Sequence, residues 1–292
     1  GAFEDAAPAG ANPYAESLAK WKTLPGLPLS GRFLPGAKLL KPKAGGKAAV
    51  PSTYPGWLFG EWEVVVTPVG FAEPLGARFI DEDTRKAIRD DFVGKAPPAK
   101  LTWRSRFYTP SPEEIPGVPT LETAYKNTAD ASELPVVQFR AYNAAQEMKG
   151  FMGPDAPPVL SQVDSRSLPL QVIMALLIDG GESYQSITLS LDAASAESKG
   201  DDCVSSELFH QTVTINGEPE SQGDFEVLTA YSLISDNVAR ARSRIVKYLI
   251  PGDPLYDVAR GAAVSYVDYD WQMRRKSTCF ETPFGSQCRQ AA

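Results

Sequence analysis

The chain has 292 residues, with 36 acidic against 29 basic side chains, a net charge of −7 and a pI near 5.0. That balance argues against a nucleic-acid binder, because phosphate contacts need a basic surface. No apolar run approaches the ~20 residues of a membrane-spanning helix, and the longest, Val172 to Ile178, has the length of a buried strand.

Residues 1–52 differ in composition from the rest. They hold seven Pro and seven Gly, and Lys20, Lys22, Arg32, Lys38, Lys41, Lys43 and Lys47 follow one another with no acid between them. Proline removes backbone donors and glycine costs backbone entropy, so such a segment does not fold alone. It is expected to lie extended against something else, either the acidic body of its own chain or a partner. The candidate partner contacts are Lys20, Trp21, Lys22, Arg32, Phe33, Lys38 and Lys41. The opening Gly1-Ala2-Phe3, without an initiator Met, leads to the expectation of a processed N-terminus.

From Trp57 onward the pattern has period two. Trp62, Val64 and Val66 share one strand face and Glu61 and Glu63 the other. Leu101, Trp103 and Phe107 alternate with Thr102, Arg104 and Arg106. A short strand at Val136 to Phe139 follows. Leu170 to Ile178 is continuously apolar and is expected to be covered on both faces. Tyr184 to Leu191, Ser205 to Ile215, Phe225 to Ser235, Arg240 to Ile250 and Val264 to Arg275 complete about nine strands. Asp179-Gly180-Gly181, Asn216-Gly217 and Ser235-Asp236-Asn237 supply turn chemistry. Helices are expected at Asp83 to Val93 and Tyr142 to Phe151. The fold class is therefore mainly β: an antiparallel, up-and-down, lipocalin-like barrel with a few short helices behind an extended N-terminal arm. The expected division is an arm at 1–52, a barrel domain at 53–276 and a tail at 277–292.

Catalytic constellations are not evident. His210 is the single histidine and shares a strand face with Leu208 and Thr212, which reads as structural or solvent-facing. With one histidine and no Cys-x-x-Cys, no metal site is expected, and no Gly-rich phosphate loop points to a nucleotide or other cofactor. Asp81-Glu82-Asp83-Thr84 reads as the cap of the helix that follows. Asp268 and Asp270 share a face opposite Val267, Tyr269, Trp271 and Met273, which predicts a half-buried strand with a solvated outer side. Cys279 and Cys288 bracket a Pro/Gly turn; a disulfide there would pin the tail and imply an oxidising compartment, the alternative being two free thiols. Cys203 is left over.

The informative residues are aromatic. Gly60-Glu61-Trp62 opens the first barrel strand, and Arg274 and Arg275 close the last. In lipocalin-like barrels a Gly-x-Trp tryptophan plugs one end and a late-strand arginine stacks on it. Trp62, Trp103, Tyr231 and Trp271 face inward by alternation and would either fill the interior or line a ligand cavity.

The segment Tyr54-Pro55-Gly56-Trp57-Leu58-Phe59-Gly60-Glu61-Trp62-Glu63-Val64 resembles the opening of an uncharacterised cyanobacterial and plastid family, whose members often begin Tyr-Pro-x-Trp-x-x-Gly-x-Trp-x-Val. Phe139-Arg140-Ala141-Tyr142-Asn143 with Gly150-Phe151-Met152-Gly153, Phe225 to Tyr231, and Pro251-Gly252-Asp253-Pro254-Leu255-Tyr256 are similar to later blocks in the same order. The resemblance covers residues 54–276. It implies a photosynthetic organism and the chloroplast thylakoid lumen, and carries over no catalytic residue. The leading expectation is a non-catalytic lumenal accessory protein, an extrinsic subunit or assembly factor that docks through its arm on a photosynthetic membrane protein complex. The alternative is a lipocalin-like carrier of an apolar small ligand (a lipid, pigment or quinone), against which a cavity below about 300 Å³ would count. An enzyme with unrecognised residues is the third reading.

Overall fold

The computed structural model describes residues 24–34, 36–44, 49–111, 134–164, 170–282 and 285–289. In chain order the main elements begin with β1 (Gly60–Ala72), α1 (Glu82–Ile88), β2 (Leu101–Tyr108), β3 (Val137–Gln138) and α2 (Arg140–Met152). Next come β4 (Leu160–Asp164), β5 (Gln171–Ile178), β6 (Ser183–Lys199), β7 (Asp202–Ile215), β8 (Glu218–Ser235) and β9 (Val238–Tyr248). The series ends with α3 (Tyr256–Ala259), β10 (Ser265–Ser277), β11 (Cys279–Thr282) and β12 (Gly285–Cys288).

Ten strands form one antiparallel sheet in the order β3-β2-β1-β10-β9-β8-β7-β6-β5-β4. The nine expected strands are all present; β4 is the tenth. The sheet curls into a half-barrel. Its two edges, β3 and β4, do not meet. Instead α2 leaves β3 and packs on β2, β4 and β5. Asn143 fixes the helix to β2, accepting from the Arg106 N–H at 2.7 Å and donating to the Arg106 carbonyl at 3.1 Å. The Asn216-Gly217 turn between β7 and β8 has both residues at positive φ, 52° and 84°, the geometry whose twist matches a two-residue hairpin. The Asp81 carboxylate accepts from Thr84 N–H at 2.8 Å, so it caps α1 as its position predicts.

The two faces of the sheet carry different hydrophobic clusters, and the largest two lie on opposite faces. Trp62, Val64, Val66, Trp103, Phe107, Tyr231, Trp271 and Met273 form the concave one. On the convex side Val204, Leu208, Leu228, Ala230, Val246 and Tyr248 are covered by Leu27, Phe33 and Leu39 of the arm. The described part of the arm, residues 24–34 and 36–44, thus packs on the body of its own chain. Pro28–Phe33 forms a 3₁₀ turn, Leu40 bridges to Ala262, and Lys41 N–H donates to the Gly261 carbonyl at 2.8 Å. Arg32 donates to Glu226 at 2.6 Å, and Lys41 pairs with Asp224.

Two expectations are corrected here. The side of β10 that carries Asp268 is not solvated. Asp268 is buried and accepts from Arg244 at 2.7 Å and 2.9 Å and from Arg242 at 3.0 Å, while Arg244 also donates to the Arg32 and Phe33 carbonyls. A buried carboxylate is stable only when its lone pairs are matched, and the arm closes this network. Beside it, burial pushes Asp270 up to about 7, with Arg242 opposing and Asp268 adding to the shift. Secondly, β5 is not covered on both faces: Val172, Met174 and Leu176 are buried while Leu177 is 55% exposed.

Candidate functional site

Between α2 and the concave face lies a cavity of about 290 Å³. The helix contributes Arg140, Asn143, Ala144, Glu147, Met148 and Phe151, spaced three and four apart, so one helical face forms the roof. The floor comes from alternate residues of β2, β7, β8 and β10, among them Trp103, Glu207, Phe209, Tyr231, Tyr269 and Trp271. Trp103 meets Trp271 edge-on with centroids 5.4 Å apart and stacks on Phe151 at 5.8 Å. Gly150 lets the helix approach this closely, since a Cβ there would sit 2.6 Å from the Trp103 ring. Phe151 lines the cavity and is also 43% exposed, which places the mouth at the C-terminal end of α2.

Ionisable groups interrupt the apolar wall. Arg140 binds Glu207 in a two-pronged pair, Nη2 to Oε1 at 2.6 Å and Nη1 to Oε2 at 3.2 Å, with both side chains buried. This is the geometry in which a buried pair is best matched. Glu147, two turns along the same helix face, has no hydrogen-bonding or ion-pair partner among the described residues. Burial pushes its carboxyl up to about 7, the Glu207 charge adds to the shift and Arg140 opposes it. Burial likewise holds the Tyr231 hydroxyl protonated far above its ordinary range. The Trp271 indole donates to Ser243 at 2.8 Å, whereas the buried Trp103 indole N–H has no acceptor among the described residues.

Trp103, Tyr231 and Trp271 thus stand together at the cavity as their strand parity predicts. Trp62 does not. It is wholly buried at the sheet end, its N–H donates to the Leu58 carbonyl at 2.8 Å, and Arg275 lies 4.5 Å over its ring. This is the expected plug, with Arg275 as the stacking arginine and Arg274 turned to solvent. Among the candidate partner contacts, Arg32, Phe33 and Lys41 are engaged by their own sheet, Lys38 is exposed, and Lys20, Trp21 and Lys22 lie outside the described residues. His210 Nδ1 lies 2.6 Å from Asp224, the carboxylate that also holds Lys41, so the histidine belongs to the arm clamp on the convex face. Cys279 and Cys288 form the expected disulfide at the base of the β11–β12 hairpin, and Cys203 is a buried free thiol.

Arg140, Glu147 and Glu207 escaped the sequence reading. Glu207 has the strand parity of Phe209 and Val213, but its neighbour Leu208 makes the other parity apolar too, so alternation alone does not single it out. No helix among the described residues is long and apolar enough to cross a membrane. No family model, curated protein or solved structure matches the chain.

Proposed function

We propose that this chain is a binding protein for a small amphipathic molecule held under α2. The observation that supports the reading is the preformed 290 Å³ cavity, walled by aromatic and aliphatic side chains with Arg140, Glu207 and Glu147 set into one stretch of the wall. Ligand sites have this make-up: mostly apolar lining and a few convergent polar groups. The volume sits at the ~300 Å³ lower limit of such sites, which bears on what can enter. An apolar cavity of about 150 Å³ holds benzene, so twice that accommodates roughly ten to fifteen heavy atoms. A lipid, a pigment or a long-tailed quinone exceeds it. The carrier reading therefore narrows to a ring-sized ligand. Docking through Arg32, Phe33 and Lys41 would require them to leave buried partners on their own sheet. An oxidising compartment such as the thylakoid lumen accords with the Cys279–Cys288 bridge.

The test is a thermal-shift screen of the full chain against ring-sized aromatic solutes, alongside Ala144→Phe, which fills the cavity from the helix side. Some solutes are expected to raise the wild-type Tm and to lose that effect in the variant. A screen in which no solute of this size shifts the wild type would end the reading.

A further inference from the structure

One charged group on the cavity wall lacks a protein partner. The Glu147 carboxyl has no hydrogen-bonding or ion-pair partner among the described residues, and the nearby Arg140 guanidinium is already bound two-pronged to Glu207. The wall therefore carries one carboxylate more than it carries cations. The remaining wall is aromatic, with Trp103, Trp271 and Phe151 in mutual contact. Aromatic faces are negative, so an aromatic wall beside an unmatched carboxylate favours a cation and disfavours an anion.

Building on the small-ligand reading above, we infer that the cavity takes a small organic monocation. Its ammonium group sits at Glu147, and its ring or short apolar stem lies against Trp103, Trp271 and Phe151. An unliganded Glu147 keeps its proton up to about pH 7. A bound ammonium favours the carboxylate, so binding strengthens as pH rises through that value and releases a proton. The other ionisable groups on the cavity wall are the Arg140–Glu207 pair on α2 and β7, and Tyr231 and Tyr269 on β8 and β10. Burial pushes both tyrosines up, out of this window.

The experiment is calorimetric titration of the full chain with four probes on one ring: tyramine, tyrosol, phenethylamine and hydroxyphenylacetate. Tyramine is expected to bind about tenfold or more tighter than its neutral isostere tyrosol at about pH 8, as a charge-assisted contact requires. Phenethylamine, which keeps both the ammonium and the ring, should bind within a few-fold of tyramine. Tyramine affinity should fall by up to about tenfold per unit below about pH 7. Glu147→Gln should erase both the tyramine advantage and the pH dependence, while tyrosol binding is kept and reports an intact fold. Tyrosol or hydroxyphenylacetate binding as tightly as tyramine would overturn the cation assignment and leave the small-ligand reading standing. A tyramine titration unchanged by Glu147→Gln would overturn it as well. If none of the four binds, both readings fall.

Discussion

Arg275 makes several contacts at once. Its guanidinium lies over Trp62, Nη2 donates to the Trp57 carbonyl at 2.7 Å, and Nη1 donates to the Phe59 carbonyl. Arg275→Ala removes the stack and strips a donor from two carbonyls beside the buried plug. The expected loss is about 2–4 kcal/mol of unfolding free energy, measured by urea denaturation with the Trp signal. This pair was legible in the sequence because each residue stands at a fixed place, one at the opening of the first strand and one at the close of the last. Asp268 was not. Its alternation with Tyr269 and Trp271 assigned it correctly to the convex face, but period-two reasoning takes that face to be wet. What makes it dry is Phe33, more than two hundred residues away, and no local pattern records that. Glu147 was hidden for a different reason. A glutamate in a helix is ordinarily a solvated residue, and its burial follows only from where the helix lands.

At the level of elements, every strand of the large sheet but β4 was readable, although in β7 the inward face was not. In β4 Leu160 and Val163 fall on opposite faces, so Leu-Ser-Gln-Val-Asp has no alternating signature; it is a strand because β5 offers it an edge. In β7 every residue from Cys203 to Phe209 is buried, so both parities look like core and the inward set is ambiguous. The α2 helix was legible as a helix but not as a roof. Its seating depends on Gly150, which sits directly against Trp103. Alanine is the better helix former by about 1 kcal/mol, so propensity alone forecasts a stabilising Gly150→Ala. The contact forecasts the opposite. The ring must shift, overpacking costs about 1–3 kcal/mol, and the variant should show a lowered Tm with altered Trp fluorescence. A raised Tm would mean that α2 can lift from the sheet at little cost.

For the molecule as a whole, the arm from Leu24 to Ala44 is part of the packing rather than an appendage. Burying Leu27, Phe33 and Leu39 is worth about 1.5–3 kcal/mol each by apolar transfer. A domain's entire stability is about 5–15 kcal/mol, so a chain lacking residues 1–44 should not survive as a stable monomer. Leu208, Leu228 and Val246 would be laid bare. The expected result is a much lowered Tm and higher-order species on size-exclusion chromatography. A truncated chain that stays monomeric with an unchanged Tm would refute this account of the convex core. Composition pointed to the arm's dependence on a cover, and the unlike charges of arm and body agree with the one it found. The two faces therefore differ: the convex face is covered by the arm, and the concave face, roofed by one helix, keeps the cavity.

The pairing of β1 with β10 has a consequence for biosynthesis. These neighbours in the sheet are about 200 residues apart in the chain. At ~5–20 residues per second, β1 waits on the order of 10–40 s after emerging before its second partner exists. Throughout that interval the Trp62, Val64 and Val66 face has only the β2 side of the sheet beside it, and the arm has no convex surface on which to settle. The nascent chain thus carries its most adhesive strand first and closes it last, which makes it a client for a holding chaperone until the C-terminal strand is released.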